Sequence, residues 1–259
     1  MRRALLGAWT ATVLVALYLP IAVTGVFSFN DSKAMTWTGF TLKWYRAVFD
    51  SHDLKDAVEK TFVIAIAATV IATVLGTMAA LAARESFRGK KLYNTLVALP
   101  VMVPDIVLAI GLLTLFYALA IPRSLGTAVV AHVTFDLAYV AIVVSARLQG
   151  MDRSVELAAR DLGATAWGAF WRVTFPAILP GVLSGAVLAF TLSFDDFVIT
   201  YFTAGTGNTT LPWRIYSLMG RHGVTPEISA VSTLILAASA ALIVAALKIA
   251  KVPVTGGGR

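Results

Sequence analysis

Four carboxylates stand out by their surroundings. Asp105, Asp136 and the adjacent pair Asp195 and Asp196 lie within long apolar stretches (about 92–121, 124–146 and 179–202), and no lysine or arginine shares those stretches. A charge at the centre of a spanning helix costs about 2.5–3.5 kcal/mol on insertion scales, so such residues face a bundle interior or a water-filled path. Four acids without a basic partner in the chain point to compensation from elsewhere: protons, a neighbouring subunit or a cationic solute. Adjacent residues of one helix point about 100° apart, so Asp195 and Asp196 are not expected to face a path equally. One is expected to look into it, the other toward a partner helix or a backbone group. For Asp136 a helix-to-helix hydrogen bond is the preferred reading.

Other chemistries lack their residues. There is no cysteine, which removes disulfides, thiolate nucleophiles and Cys-metal sites together. His52, His132 and His222 are too scattered to suggest a metal site. "FRGKKL" lacks the glycine spacing and hydroxyl of a phosphate loop, and "GVLSG" (181–185) has its serine one place late for a nucleophile elbow. Gly181 and Gly185 read instead as a small-xxx-small face for close helix packing. An intramembrane aspartyl protease using Asp136 and Asp195 lacks the usual glycine-flanked aspartate.

The elements that must position these acids are set by composition. Of 259 residues, 58% are hydrophobic and only 14% charged, against about 25% charged in soluble domains. Ala4–Asn30, Thr61–Ala83 and Ile228–Leu247 carry no charge at all, and each reaches the roughly 20 residues of a membrane-crossing helix. With the three acid-containing stretches, the sequence predicts an all-α polytopic membrane protein, a single transmembrane domain over 1–259. Its six spans are placed at about 5–28, 60–83, 93–120, 125–147, 179–202 and 228–248, the third expected to bend at Pro100 and Pro104 just before Asp105. The first span is too long for a cleaved signal peptide and shows no small-residue cleavage site. Lysine and arginine place both termini in the cytoplasm, with Arg84, Arg88, Lys90, Lys91, Arg147, Arg153, Arg160, Arg172, Lys248, Lys251 and Arg259 on that side. The net charge of +7 is then a matter of topology and needs no nucleic-acid partner.

The loop at about 150–178, between spans four and five, contains "SVELAARDLGATAWGAFWRVTFP" (154–176). Ser154 is expected to cap a helix with Glu156 in its first turn. Val155, Ala158, Ala159 and Leu162 form an apolar face, and Glu156 pairs with Arg160 at i,i+4. Gly163 ends this helix, and a second amphipathic piece carries Trp167, Phe170 and Trp171 up to Pro176. Spacing alone leaves two readings open, a helix lying on the membrane surface and a docking helix for a soluble partner.

"LAARDLGATAWGAFWRVTFP" resembles the EAA loop of ATP-binding-cassette (ABC) importer permeases: the small pair Ala158 and Ala159, then Asp161, Gly163 and the Val173-Thr174-Phe175-Pro176 ending. The family's glutamate position holds Leu157, and Glu156 sits one residue earlier. The resemblance extends toward the spermidine/putrescine importer permeases through "FTLKWYRAVF" (40–49), "PDIVLAIGLLTLF" (104–116), "FTLSFDDFVITYF" (190–202), "LPWRIYSLM" (211–219) and "GVTPEISAVSTLIL" (223–236). It implies the type I ABC importer permease fold, with the loop as a coupling helix. This chain would bind no cofactor, because ATP and magnesium belong to a separate ATPase. The implied partners are two ATPase subunits, a second homologous permease forming a heterodimer, a periplasmic or lipid-anchored polyamine-binding protein and the lipid bilayer of a bacterial inner membrane. A polyamine, with ammonium groups spaced by methylenes, suits separated carboxylates and aromatic walls. Asp105, Asp195 and Asp196 are the candidate solute contacts, with Tyr201, Trp213 and Tyr216 as candidate walls. Glu227, after Pro226, either meets solute or caps the last helix. The alternatives are an ABC importer for another solute (an oxyanion, ferric iron, an opine or a phosphonate) and a proton-coupled secondary transporter.

Overall fold

The computed structural model describes residues 2–33, 36–223 and 225–249. Lys251 and Arg259, counted above among the cytoplasmic charges, lie outside them. The described chain is helical, with one isolated antiparallel bridge between Asn30 and Phe40. Its helices are α1 (Arg2–Phe27), α2 (Lys43–Asp50), α3 (His52–Arg84), α4 (Lys90–Met102), α5 (Asp105–Ala118), α6 (Leu125–Gln149), α7 (Arg153–Asp161), α8 (Ala166–Ala169), α9 (Phe175–Asp195), α10 (Val198–Thr203), α11 (Leu211–His222) and α12 (Pro226–Ile249). Four helices are long and apolar enough to cross a membrane: Leu5–Phe27, His52–Arg84, Leu125–Gln149 and Ala166–Asp195. A fifth crossing is available if the bent pair α4 and α5 counts as one span. Pro226–Ala241 is a shorter apolar helix at the place expected for the sixth.

Three departures from the expected spans have physical causes. The bend expected in span three falls before Asp105, but it is sharp enough to give two helices meeting at 110°. Pro104 has no N–H to continue the α4 ladder, and it starts α5 with Asp105 as the first helical residue. Span five begins earlier than expected, because α8, a π-helical turn (Phe170–Thr174) and α9 run on continuously. Pro176 cannot donate to the carbonyl four residues back. The preceding turn widens, and the Phe175 N–H donates to the Phe170 carbonyl. The same span also ends earlier, at Asp195, where Asp196 turns extended (φ −66°, ψ 132°) before the short α10 begins.

The chain divides into two compact units. One holds the N-terminal residues to Asp56 with Trp213–Ala241. In it Asn30 is fully buried: its Nδ2 donates to the carbonyls of Ser32 and Thr36, its Oδ1 accepts from the Thr38 N–H, and its carbonyl accepts from the Trp44 indole. Arg214 on α11 pairs with Asp53. The other unit, Ala57–Pro212 with the C-terminal residues from Leu242, holds the acid-bearing spans. Its core centres on α6. Val140, Val144 and Leu148 pack with Ala80 of α3 and with Ile178, Val182 and Ala189 of α9. Phe135 and Ala131 pack with Ala109 of α5 and Ile199 of α10. The expected small-residue face makes the α6–α9 contact. A Cβ on Gly181 would stand 2.8 Å from the Cβ of Arg147, and one on Gly185 3.2 Å from the Cγ1 of Val140.

Candidate functional site

The break between α9 and α10 is held from inside by a chain of polar side chains. Asp196 accepts hydrogen bonds from the backbone N–H groups of Ile199 (3.2 Å) and Thr200 (2.9 Å), so its carboxylate caps α10. The Thr200 hydroxyl donates to Asp196 Oδ2 at 3.1 Å. His132 lies between the two acids of this region, with Nε2 3.0 Å from the Thr200 hydroxyl and 3.4 Å from Asp196 Oδ2, and Nδ1 2.9 Å from the Ser193 hydroxyl. Ser193 in turn donates to Asp136 Oδ2 at 2.6 Å. His132 is 1% exposed and Asp136 0%. Each hydroxyl owns one proton and gives it to a carboxylate, so each hydroxyl oxygen accepts from the ring. The ring thus bridges the two hydroxyls that bond Asp136 and Asp196, and links α6 to α9 and α10 through one buried polar chain.

For Asp136 and Asp196, though not for Asp105 and Asp195, this departs from the expectation of acids without a basic neighbour in the chain. His132, set aside as scattered, sits one helical turn before Asp136 on α6. That i,i+4 spacing on an otherwise apolar helix was the available signal. The bond from Ser193 on α9 to Asp136 on α6 is the helix-to-helix bond expected there. The 100° helical argument for Asp195 and Asp196 gives way to a different geometry. The helix ends between them; Asp196 turns inward onto backbone and ring, while Asp195 is exposed.

The remaining acids and aromatics are distributed as follows. Asp105 is exposed at the start of α5, the helix packed on α10, and makes no hydrogen bond or ion pair among the described residues. Tyr201 is on α10, its ring against Phe197 and Phe202. Trp213, Tyr216 and Glu227 belong to the other compact unit. The two aromatics stand on α11. Glu227 is in the first turn of α12, while the Thr225 hydroxyl accepts from the Ile228 N–H. Among the described residues no cluster of three or more His, Cys, Asp or Glu could hold a metal ion.

In the 150–178 loop the cap is Asp152, two residues before the expected Ser154. Its side chain accepts from the Ser154 N–H at 2.8 Å, and that bond holds its carboxyl below the usual range. Glu156 meets Arg160 at 2.9 Å as expected. It also meets Arg84, the last residue of α3, at 2.9 Å, a partner that spacing could not reveal. Burial pushes the Glu156 carboxyl up. The hydrogen bond and charge of Arg84, helped by Arg160 and Thr174, outweigh that and leave it below its ordinary value. Gly163 has φ +90° and ends α7, its N–H donating to the Arg160 carbonyl while the Ala164 N–H donates to that of Ala159. Val155, Leu157 and Leu162 are exposed, Leu162 at 90%. Beyond Gly163, Trp167, Phe170, Trp171 and Phe175 stack in sequence, with Trp167 70% exposed. The α7 helix thus carries an ion pair to a spanning helix on one side and exposed apolar side chains on the other.

Comparison with known proteins agrees with this arrangement. The family described as binding-protein-dependent transport system inner membrane component matches residues 72–251. The chain is 42% identical over 243 residues to the putrescine transport system permease protein PotI of Escherichia coli strain K12, covering 89% of this chain and 86% of that protein. It is 37% identical over 251 residues to the spermidine/putrescine transport system permease protein PotC of the same strain, covering 96% and 95%. A solved bacterial ABC transporter involved in the import of the acidic polysaccharide alginate shares the fold, with TM-score 0.71 at 18% identity over 98% of this chain and 97% of that one. The long apolar helices, the EAA-like loop and these matches agree: the chain belongs to the family of inner-membrane components of binding-protein-dependent transport systems.

Proposed function

We propose that this chain is one permease subunit of an ATP-driven polyamine importer, crossing the bacterial inner membrane six times with both termini in the cytoplasm. The spans are α1, α3, the bent pair α4–α5, α6, the continuous helix Ala166–Asp195, and α12. The observation that carries the solute class is the unequal treatment of two neighbouring acids. Asp196 is satisfied by His132, Thr200 and two backbone N–H groups. Asp195 is exposed and makes no ion pair among the described residues. An exposed carboxylate at a broken helix, in an apolar stretch (179–202) without lysine or arginine, is an electrostatic station for a cation. Asp105 at the other break is a second. Two such stations suit a solute with several ammonium groups, and PotI and PotC carry polyamines in their names.

The motor is a separate ATPase dimer docked on α7, the coupling helix. Its exposed apolar residues enter the ATPase cleft, and the Glu156–Arg84 pair passes movement of α7 to the end of α3. A second, homologous permease completes the path, and a binding protein delivers solute from outside. In vesicles holding the assembled transporter, Asp195→Asn lowers spermidine uptake by at least tenfold with assembly intact. Unchanged uptake kinetics would remove Asp195 from the path and with it the cation argument.

A further inference from the structure

A cavity of about 600 Å³ opens among α3, α4 and α6, at the end of these helices nearest α7. Its wall is built largely from six alanines, with Val97, Ile142 and Leu148. Two cations, Arg84 and Lys90, reach it, together with the polar groups of Asn94, Ser145 and Gln149, and no acidic side chain lines it. The Arg84 guanidinium is only half used. Its Nη1 donates to Glu156 at 2.9 Å, whereas Nη2 is buried and makes no hydrogen bond. The Lys90 ammonium makes no ion pair or hydrogen bond among the described residues. Leaving a buried donor of a charged group unpaired is costly, so the chemistry of this wall asks for an anionic acceptor. A polyamine is repelled by both cations, which places the cavity off the route of the solute.

We propose that this cavity binds the phosphate of an anionic phospholipid, with its oxygens on Arg84 Nη2 and Lys90 and an acyl chain along the alanine wall. The apolar wall and the open side distinguish a lipid phosphate from one in solution, because free phosphate has no use for a dry alanine surface. Basic pockets between spanning helices at the cytoplasmic face are places where anionic headgroups collect. Only that placement of the α7 end of the bundle is taken from the reading above; nothing here depends on the solute. Because Arg84 offers one nitrogen to the cavity and the other to Glu156, a bound phosphate would fix the guanidinium that ties α3 to α7. The bilayer would thereby set how firmly the loop is held.

The test uses the full chain in nanodiscs of mixed phosphatidylglycerol and phosphatidylcholine, with retained lipid read by native mass spectrometry. Lys90→Gln removes a cation, and Ala146→Phe fills the cavity while leaving both cations. Unfolding temperature reports whether each variant is folded, and either variant alone is decisive. Phosphatidylglycerol is expected to be retained over phosphatidylcholine, about fivefold less in Lys90→Gln, and not at all in Ala146→Phe. A second arm places the chain in phosphatidylcholine alone and measures binding of labelled inorganic phosphate. Variant-sensitive binding there, without lipid selectivity, would keep the phosphate site and overturn the lipid as its source. Equal retention of the two lipids with no phosphate binding, or selectivity indifferent to both substitutions, would overturn the proposal.

Discussion

His132 ties together the polar side chains at the broken span. It lies between Asp136 and Asp196 with each ring nitrogen on a hydroxyl, and both acids are reached through that ring. Removing it leaves the Ser193 and Thr200 hydroxyls without a buried hydrogen-bond partner, a loss of about 1–3 kcal/mol for each group left unsatisfied. His132→Ala should therefore lower stability to unfolding in detergent by that order. Asp136→Asn should cost less in the His132→Ala background than alone, which a double-mutant cycle measures. Additive effects would mean that the ring and Asp136 are not coupled. Outside the membrane, Glu156 gives the corresponding test with a pH sign. Its carboxyl is held below the ordinary range. Its contribution is thus fully present above the unfolded value near about 4.3 and is lost as pH falls through the lower folded value. Wild type should exceed Glu156→Gln in stability at neutral pH by about 1–3 kcal/mol, and the gap should close on acidification. A gap that widened in acid would contradict the Arg84 pairing.

At the scale of elements, the apolar runs and the glycine-ended loop were legible because they depend on local composition. Uncharged runs of spanning length announced α1, α3 and α12, and Gly163 announced the end of α7. Pro104 announced the bend before Asp105, but its 110° angle and the π-helical turn before Pro176 depend on which carbonyls lose their donors in three dimensions. The cap at Asp152 and the Arg84–Glu156 pair were hidden for the same reason; the pair joins residues 72 positions apart. Two substitutions test the elements. Gly163 sits at φ +90°, while proline requires φ near about −65°. Gly163→Pro should abolish solute-stimulated ATP hydrolysis in the assembled transporter while membrane insertion survives. Normal stimulation would remove α7 from the coupling role. Gly185→Leu should drive side-chain atoms into Val140, whose Cγ1 is already 3.2 Å from a Cβ at that site. The expected cost is about 1–3 kcal/mol of overpacking, read as a lower unfolding temperature. No change in stability would show that the α6–α9 approach is not tight.

At the scale of the whole molecule, the chain belongs to a family of inner-membrane transport components, and the sequence carries no GxxxxGK(S/T) phosphate-binding loop. The proposal therefore has ATP hydrolysed by another subunit, docked on α7. An anion importer is hard to reconcile with exposed Asp105 and Asp195, and a proton-coupled transporter has no use for the docking loop. Family membership was legible from motifs in register along the chain. The division of labour between Asp195 and Asp196 was not, because it depends on His132, contributed by a different helix. The most direct test is uptake of labelled spermidine into vesicles holding this chain with its co-encoded partners, with and without ATP inside. The account predicts uptake only with ATP, competed by putrescine and indifferent to sulfate. Uptake that ran on a proton gradient without ATP, or a complex that hydrolysed ATP and moved no polyamine, would contradict it.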